Sequence, residues 1–169
     1  MQLREFNTFV SEKPSETNAS PQIYICNVFA KNEILAKSKA FSLLRKTHKI
    51  KSTSAVVLKL EEVAQYADVK ARTFGVSAVY RSTAGLHNVH KEIRAVTRAG
   101  AVGKIYQDLR SRHSAKQECV TIIDVKEIAE CDVVSKDLAQ VINAPKYPLF
   151  DKRVPATAPN YQAVSIARK

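Results

Sequence analysis

The side chains best equipped for chemistry in this chain are its cations. Arg81, Arg94, Arg98, Arg110, Arg112 and Arg153 carry planar guanidinium forks, the shape that holds a phosphate through two parallel hydrogen bonds. Lys37, Lys39, Lys46, Lys49, Lys51, Lys91, Lys104, Lys116 and Lys146 supply point charges, with Arg45 among the first of them. Tyr80, His87, His90, Tyr106 and Tyr147 lie between these cations, where their rings could stack on unpaired bases or equally fill a core. Such a set reads phosphate backbone and shape rather than base edges, which is largely how A-form RNA is recognised.

Other chemistries find less support. There is no Gly-rich phosphate loop, no GxSxG and no HExxH. A phosphate-handling enzyme would need polar groups converging at Gly100–Gly103 beside His87 or His113. His87 and His90 stand three apart in an expected strand, so they point to opposite faces and make a poor chelate. Cys26, Cys119 and Cys131 are odd in number and match no zinc-site spacing. They are read as reduced thiols, with Cys26 and Cys119 filling a sheet core as small apolar residues. His48 and His113 are expected to end equivalent helices, near the last carbonyls and the negative dipole end, and either could touch a phosphate. No catalytic residue, metal, cofactor or small-molecule substrate is expected.

The cations are distributed in blocks. The 169 residues hold 27 Lys+Arg against 16 Asp+Glu, a net charge of +11. Residues 31–51 and 81–116 each net +6, residues 143–169 net +4, and residues 117–142 net −4. The anion-binding surface therefore belongs to the folded body, not to a basic tail. The acidic run of Glu118, Asp124, Glu127, Glu130, Asp132 and Asp137 reads as a solvated face or as a contact for a basic protein neighbour. With 45% apolar residues the chain can build a core, which excludes a fully disordered basic protein. No stretch approaches the roughly 18–20 consecutive apolar residues of a membrane span. The opening MQLREFNTFVSEK lacks the apolar run of a secretion signal. The expectation is a cytosolic protein with no membrane partner.

The two +6 blocks are related. Offsetting the chain by 65 residues aligns Ala30–Gln65 with Ala95–Glu130 without a gap, and nine of the 36 pairs are identical. The identities are Ala30/Ala95, Ala36/Ala101, Lys39/Lys104, Leu44/Leu109, Arg45/Arg110, His48/His113, Lys51/Lys116, Glu62/Glu127 and Ala64/Ala129. A unit of this length occurring twice reads as two copies of a small domain.

Each copy must then supply the elements that position its cations. NEILAKSKAFSLLRKTHK places apolar residues at 36, 40, 43 and 44 on one helical face, with Asn32 as N-cap and Lys39, Arg45, Lys46 and Lys49 on the opposite arc. In RAGAVGKIYQDLRSRH, Ala101, Ile105 and Leu109 face inward, Lys104 and Arg110 face out, and Thr97 is the expected cap. A β-rich run follows each helix, SAVVLKLEEV and CVTIIDVKEI. LREFNTFV and QIYICNVFA precede the first helix, and a hairpin from TFGVSAVYRS to LHNVHKEIRAV precedes the second. Both halves read strand–strand–helix–strand. The expected fold is α+β, with a mostly antiparallel sheet and one helix across it in each module. The first module spans 1–66, a joint 67–72, the second module 73–131 and a C-terminal extension 132–169, whose Pro-rich end (Pro145, Pro148, Pro155, Pro159) is expected to run extended on a partner.

The stretch from Phe74 to Glu130 also resembles a known family. FG at 74–75, the Ser82…Gly85 turn, HN at 87–88, AGAV at 99–102, Tyr106, Asp108, the Arg112–His113 pair and Val125…Glu127-Ile128 are similar to the second half of the eukaryotic large-subunit ribosomal protein eighteen-a family, eukaryotic twenty in the unified naming. Phe29-Ala30, Asn32, Ala36-Lys37-Ser38, Lys146–Leu149 and Arg153-Val154 extend the likeness over about residues 22–154. The short tail after Val154, with only Arg168 and Lys169 as cations, departs from the family's longer basic extension, and a family Trp after Phe74 is missing. The resemblance implies a non-catalytic, cytoplasmic constituent of the large (60S) ribosomal subunit that supports translation. Its implied partners are large-subunit rRNA and neighbouring large-subunit ribosomal proteins. A free RNA-binding assembly or translation factor is the alternative.

Overall fold

The computed structural model describes residues 3–16, 18–64 and 69–142. The first module runs β1 (Arg4–Glu12), β2 (Ile23–Ala30), α1 (Glu33–Thr47) and β3 (Ala55–Glu62). The second runs β4 (Arg72–Arg81), β5 (Leu86–Ala95), α2 (Arg98–His113) and β6 (Val120–Ile128). The two antiparallel sheets have the orders β2-β1-β3 and β5-β4-β6, so the first strand of each module is central. One helix crosses each sheet, which makes the fold α+β with two tandem modules of the same topology. No helix among the described residues is long and apolar enough to cross a membrane.

The duplication extends to register. Phe6 pairs with Glu62, Thr8 with Leu60 and Val10 with Val57, while Phe74 pairs with Glu127, Val76 with Val125 and Ala78 with Ile122. Each ladder slips at the same place, between Phe9 and Val10 in one and between Ser77 and Ala78 in the other. A bulge sends one extra residue out of each third strand. Arg4 reaches Glu62 at 3.3 Å, and its counterpart Arg72 reaches Glu127 at 3.3 Å. The helices also stop alike. Lys49 (φ 61°) and Ser114 (φ 52°), again 65 apart, take the left-handed conformation that breaks the helical hydrogen-bond ladder.

Each helix buries its expected face. Ala36, Ala40 and Leu44 meet Phe6, Val10, Cys26 and Val28; Ala101, Ile105 and Leu109 meet Phe74, Val76, Ala78 and Val125. The alanines let helix and sheet approach closely. Thr97 caps α2 by accepting from the Gly100 N–H at 3.0 Å. Asn32 occupies the equivalent cap of α1 in an extended conformation, but its side chain makes no capping hydrogen bond. Gly75 is demanded by packing, because a Cβ there would stand 2.7 Å from Ile128 Cδ1.

The modules pack on each other through one face of α2. Arg98 bonds Glu5 at 3.4 Å, and Lys39 lies over the Tyr106 ring at 5.6 Å. Arg98, Val102 and Tyr106 form an i, i+4, i+8 stripe. Val102 is fully buried, and Leu3 and Phe29 of the first module join the second module's core.

One expectation needs correction. Cys26 is buried as expected, but Cys119 is exposed. A 3-10 turn over Gln117–Cys119 delays the strand to Val120, so Cys119 never enters the sheet. Within the expected C-terminal extension, Lys136–Ile142 forms a short helix, α3, and the Pro-rich end expected to run extended lies outside the described residues. The helix packs beside β5, and the Val134 and Ser135 N–H groups ahead of it bond the Glu92 carboxylate at 3.1 and 2.8 Å. Lys146, Tyr147 and Arg153 lie outside the described residues.

Candidate nucleic-acid interface

The structure sorts the expected cations by what already occupies them. Lys39 and Lys104 turn back onto their own modules. Lys39 Nζ donates to the Phe29 carbonyl at 2.6 Å and Lys104 Nζ to the Arg94 carbonyl at 2.5 Å. Each closes the end of the strand that feeds its helix, ten residues upstream. Burial holds the Lys39 ammonium below the usual lysine range.

Several others are held by acids. Asp108 takes both Lys91 and, one helical turn on, Arg112 at 2.8 Å. Arg94 reaches Glu130 at 3.6 Å, and Arg98 reaches Glu5, which also accepts from Asn27 Nδ2 at 2.7 Å. Lys46 bridges the modules to Thr121 Oγ1 at 3.3 Å. By contrast, Lys37, Arg45, Lys49, Arg81, Arg110 and Lys116 are exposed and have no side-chain partner among the described residues. These six keep their charge and full reach for an anion.

The aromatic candidates mostly turn inward. Tyr80 is a core residue, stacked on His87 at 5.0 Å between ring centroids and tilted against His113 at 5.2 Å. Tyr106 is half-buried beneath Lys39, and burial pushes its phenol up to about 12, partly offset by a hydrogen bond with Gln117. Neither ring is free to stack on a base. His113 Nδ1 stands 3.3 Å from the Tyr80 hydroxyl and His48 packs on Tyr24 at 4.6 Å, so both imidazoles rest on sheet tyrosines. His87 Nε2 meets Ser82 Oγ at 2.8 Å, and on the other sheet face His90 Nδ1 meets Ser77 Oγ at 3.1 Å.

Among the described residues the two Ser–His contacts, Ser82–His87 and Ser77–His90, lie on opposite faces of the second sheet. No group of three His, Cys, Asp or Glu among the described residues is placed to hold a metal. The Gly100 N–H is committed to Thr97. A cleft of about 260 Å³ between the modules is lined by Lys39, Lys46, Glu118, Tyr106, the polar Asn27, Ser38, Ser42, Gln117 and Thr121, and apolar side chains. Asp124, held below the usual carboxylate range chiefly by its hydrogen bond with Lys126, is open to solvent on β6.

Residues 66–126 match the family described as ribosomal proteins 60S-L20, which also carries the name eighteen-a for both 50S and 60S members. The large ribosomal subunit protein eL20 of Candida albicans is 35% identical over 134 residues, covering 79% of this chain and 78% of that relative. Large ribosomal subunit protein eL20A of Schizosaccharomyces pombe is 31% identical over 155 residues, 90% of this chain and 88% of its own. The chain belongs to this family. The eL20 protein of Drosophila melanogaster is 33% identical over 126 residues, 75% of this chain and 71% of its own.

The residues that carry the family resemblance are chiefly scaffold. Phe74 and Gly75 seat the central strand under Ile128, Ala99–Val102 is the buried, capped entry of α2, and Asp108 binds two cations. Asp108 was not among the expected interface residues, although its i, i+4 spacing to Arg112 is visible in the sequence. Glu5 gives no such sign, because its partner Arg98 lies in the other module.

Proposed function

We propose that this chain is a structural constituent of the large subunit of the cytoplasmic eukaryotic ribosome, with no catalysis of its own. The observation that carries this reading is 31–35% identity, over three quarters or more of the chain, to relatives named as large ribosomal subunit proteins. The chain binds rRNA through the exposed cations of α1 and α2 and the β4–β5 hairpin, and it contacts neighbouring subunit proteins. Lys37, Arg45, Lys49, Arg81, Arg110 and Lys116 are the primary phosphate ligands. Lys46, Arg94, Arg98 and Arg112 contribute charge from positions set by their internal partners. Lys39, Lys91 and Lys104 act mainly as ties within the fold, while Lys146 and Arg153 supply further cations for rRNA. Residues 1–66 and 73–131 serve as the two modules, with 67–72 as their joint and 132–169 as an extension.

Sedimentation of the full chain through a sucrose gradient in moderate salt tests the assignment. A constituent stays with the large subunit. Release into the light fractions would identify a free RNA-binding assembly or translation factor instead.

A further inference from the structure

The first module exposes an apolar cluster on the outer face of its sheet where the second carries mainly polar residues. Side chains of β1 at 7, 9 and 11 point away from α1, and their register partners share that face: Phe9 lies opposite Ile25, and Ser11 lies between Ile23 and Val56. The bulge adds Leu58. Ile25 is 67% exposed, Ile23 56%, Leu58 55% and Val56 42%. Among the described residues nothing covers them.

The duplicated register identifies the counterpart of each. Phe9, Ile23, Ile25, Val56 and Lys59 correspond to Ser77, Asn88, His90, Thr121 and Asp124 of the second module. At these positions the second face is polar and partly satisfied within itself, through Ser77–His90 and Asp124–Lys126, while Ile123, the counterpart of Leu58, stays apolar and 65% exposed. The same backbone thus accepts polar residues at these positions, so the fold does not require apolar ones. A cluster of this kind on a soluble surface marks contact with a partner.

The partner is protein, not RNA. Lys59, the cation on this face, is ion-paired with Glu61, leaving no free charge for a phosphate. The unpaired cations Lys37 and Arg45 belong to α1, on the opposite side of the sheet. The far end of the same face already packs on protein, where Glu5 and Phe29 are buried beside α2. A second copy would bring two chains of net charge +11 together, which repulsion opposes. We infer that the patch of Phe9, Ile23, Ile25, Val56 and Leu58 docks an apolar, uncharged segment of a neighbouring large-subunit protein. The first module is then two-sided, RNA on its helix and protein on its sheet. This inference rests on the ribosomal reading above.

The test replaces Ile25 in the full chain with photoreactive p-benzoylphenylalanine and irradiates purified large subunits. Mass spectrometry of the adduct should identify one other large-subunit protein, joined through an apolar side chain. An adduct with rRNA, with residues 143–169 of this chain or with a second copy overturns the inference, as does the absence of any adduct in subunits that contain the chain. If the chain is missing from the subunits, the ribosomal reading fails and the inference falls with it. A second variant, Ile23→Asn/Ile25→His/Val56→Thr, installs the second module's own residues, so the fold is retained. In competition with the wild-type chain its occupancy of salt-washed subunits should fall roughly tenfold, as for loss of an interface hot spot. Equal occupancy would overturn the docking role.

Discussion

The two helices began as one sequence, and their corresponding stripes now meet different surroundings. On α2, Arg98, Val102 and Tyr106 press against the first module. On α1 the same positions are Glu33, Lys37 and Phe41, with Glu33 and Lys37 in solvent. One copy has turned this stripe into an internal joint, and the other has left its charged pair, Glu33 and Lys37, open to solvent. The outer sheet faces show a second divergence, with Phe9, Ile23, Ile25 and Val56 in the first module replaced by Ser77, Asn88, His90 and Thr121 in the second. What both copies retain is mechanical: the bulge, the left-handed helix stop, the small alanines and the lysine that closes the strand end. Shared buried residues report the fold, shared exposed cations such as Arg45 and Arg110 mark a surface common to both modules, and divergent ones report what each module touches separately.

That division can be broken at several points. Phe6→Ala and Phe74→Ala remove equivalent, nearly inaccessible rings and should each cost about 3–5 kcal/mol in urea unfolding. Phe74→Ala should cost more, because its core also holds Leu3 and Phe29 of the first module. Equal or reversed losses would mean that the modules do not share that core. Next in size is the joint itself. Arg98→Ala strips the guanidinium from a Glu5 carboxylate with almost no solvent, at a cost of about 1–3 kcal/mol. A double-mutant cycle with Glu5→Gln should show clear coupling, and additive losses would deny the pair any role in holding the modules together.

The helix caps offer a smaller contrast. Thr97→Ala removes a cap that is made, for about 1 kcal/mol, whereas Asn32→Ala removes one that is not and should cost only a few tenths. Similar losses from both would contradict the structure. Smallest, and opposite in sign, are Lys49→Gly and Ser114→Gly. Each relieves a positive φ and should raise the melting temperature, by a gain of up to about 1 kcal/mol. A lower melting temperature would show that the side chains matter more than the backbone strain.

Much of this architecture was legible in the amino-acid order. The strand–strand–helix–strand repeat follows from periodicity, and the nine identities pointed to a common scaffold that the strand registers then displayed. The inward faces of both helices were readable from the spacing of Ala36, Ala40 and Leu44 and of Ala101, Ile105 and Leu109. What stayed hidden depends on pairing between distant segments. Lys39 and Lys104 look like surface cations by helical phase, yet their flexible stems reach a strand carbonyl. Glu5 and Arg98 meet only because one module docks on the other. Cys119 misled because a one-residue difference in where a strand starts decides whether a thiol is buried or exposed. The short helix at 136–142 was signalled by Ser135 ahead of Leu138, Val141 and Ile142, but the surrounding acidic charge masked it.

The proposed role rests on unpaired helix-face cations neutralising rRNA phosphates. The decisive measurement is the affinity of the full chain for large-subunit rRNA as a function of salt, for the wild type and for Lys37→Glu/Arg45→Glu/Arg110→Glu/Lys116→Glu. All four residues are exposed, so the variant should fold normally. Wild-type log affinity should fall steeply with log salt, and the variant's slope should be shallower by roughly 0.7–0.9 for each phosphate it no longer neutralises. A flat wild-type slope, or the same slope in both proteins, would contradict the account.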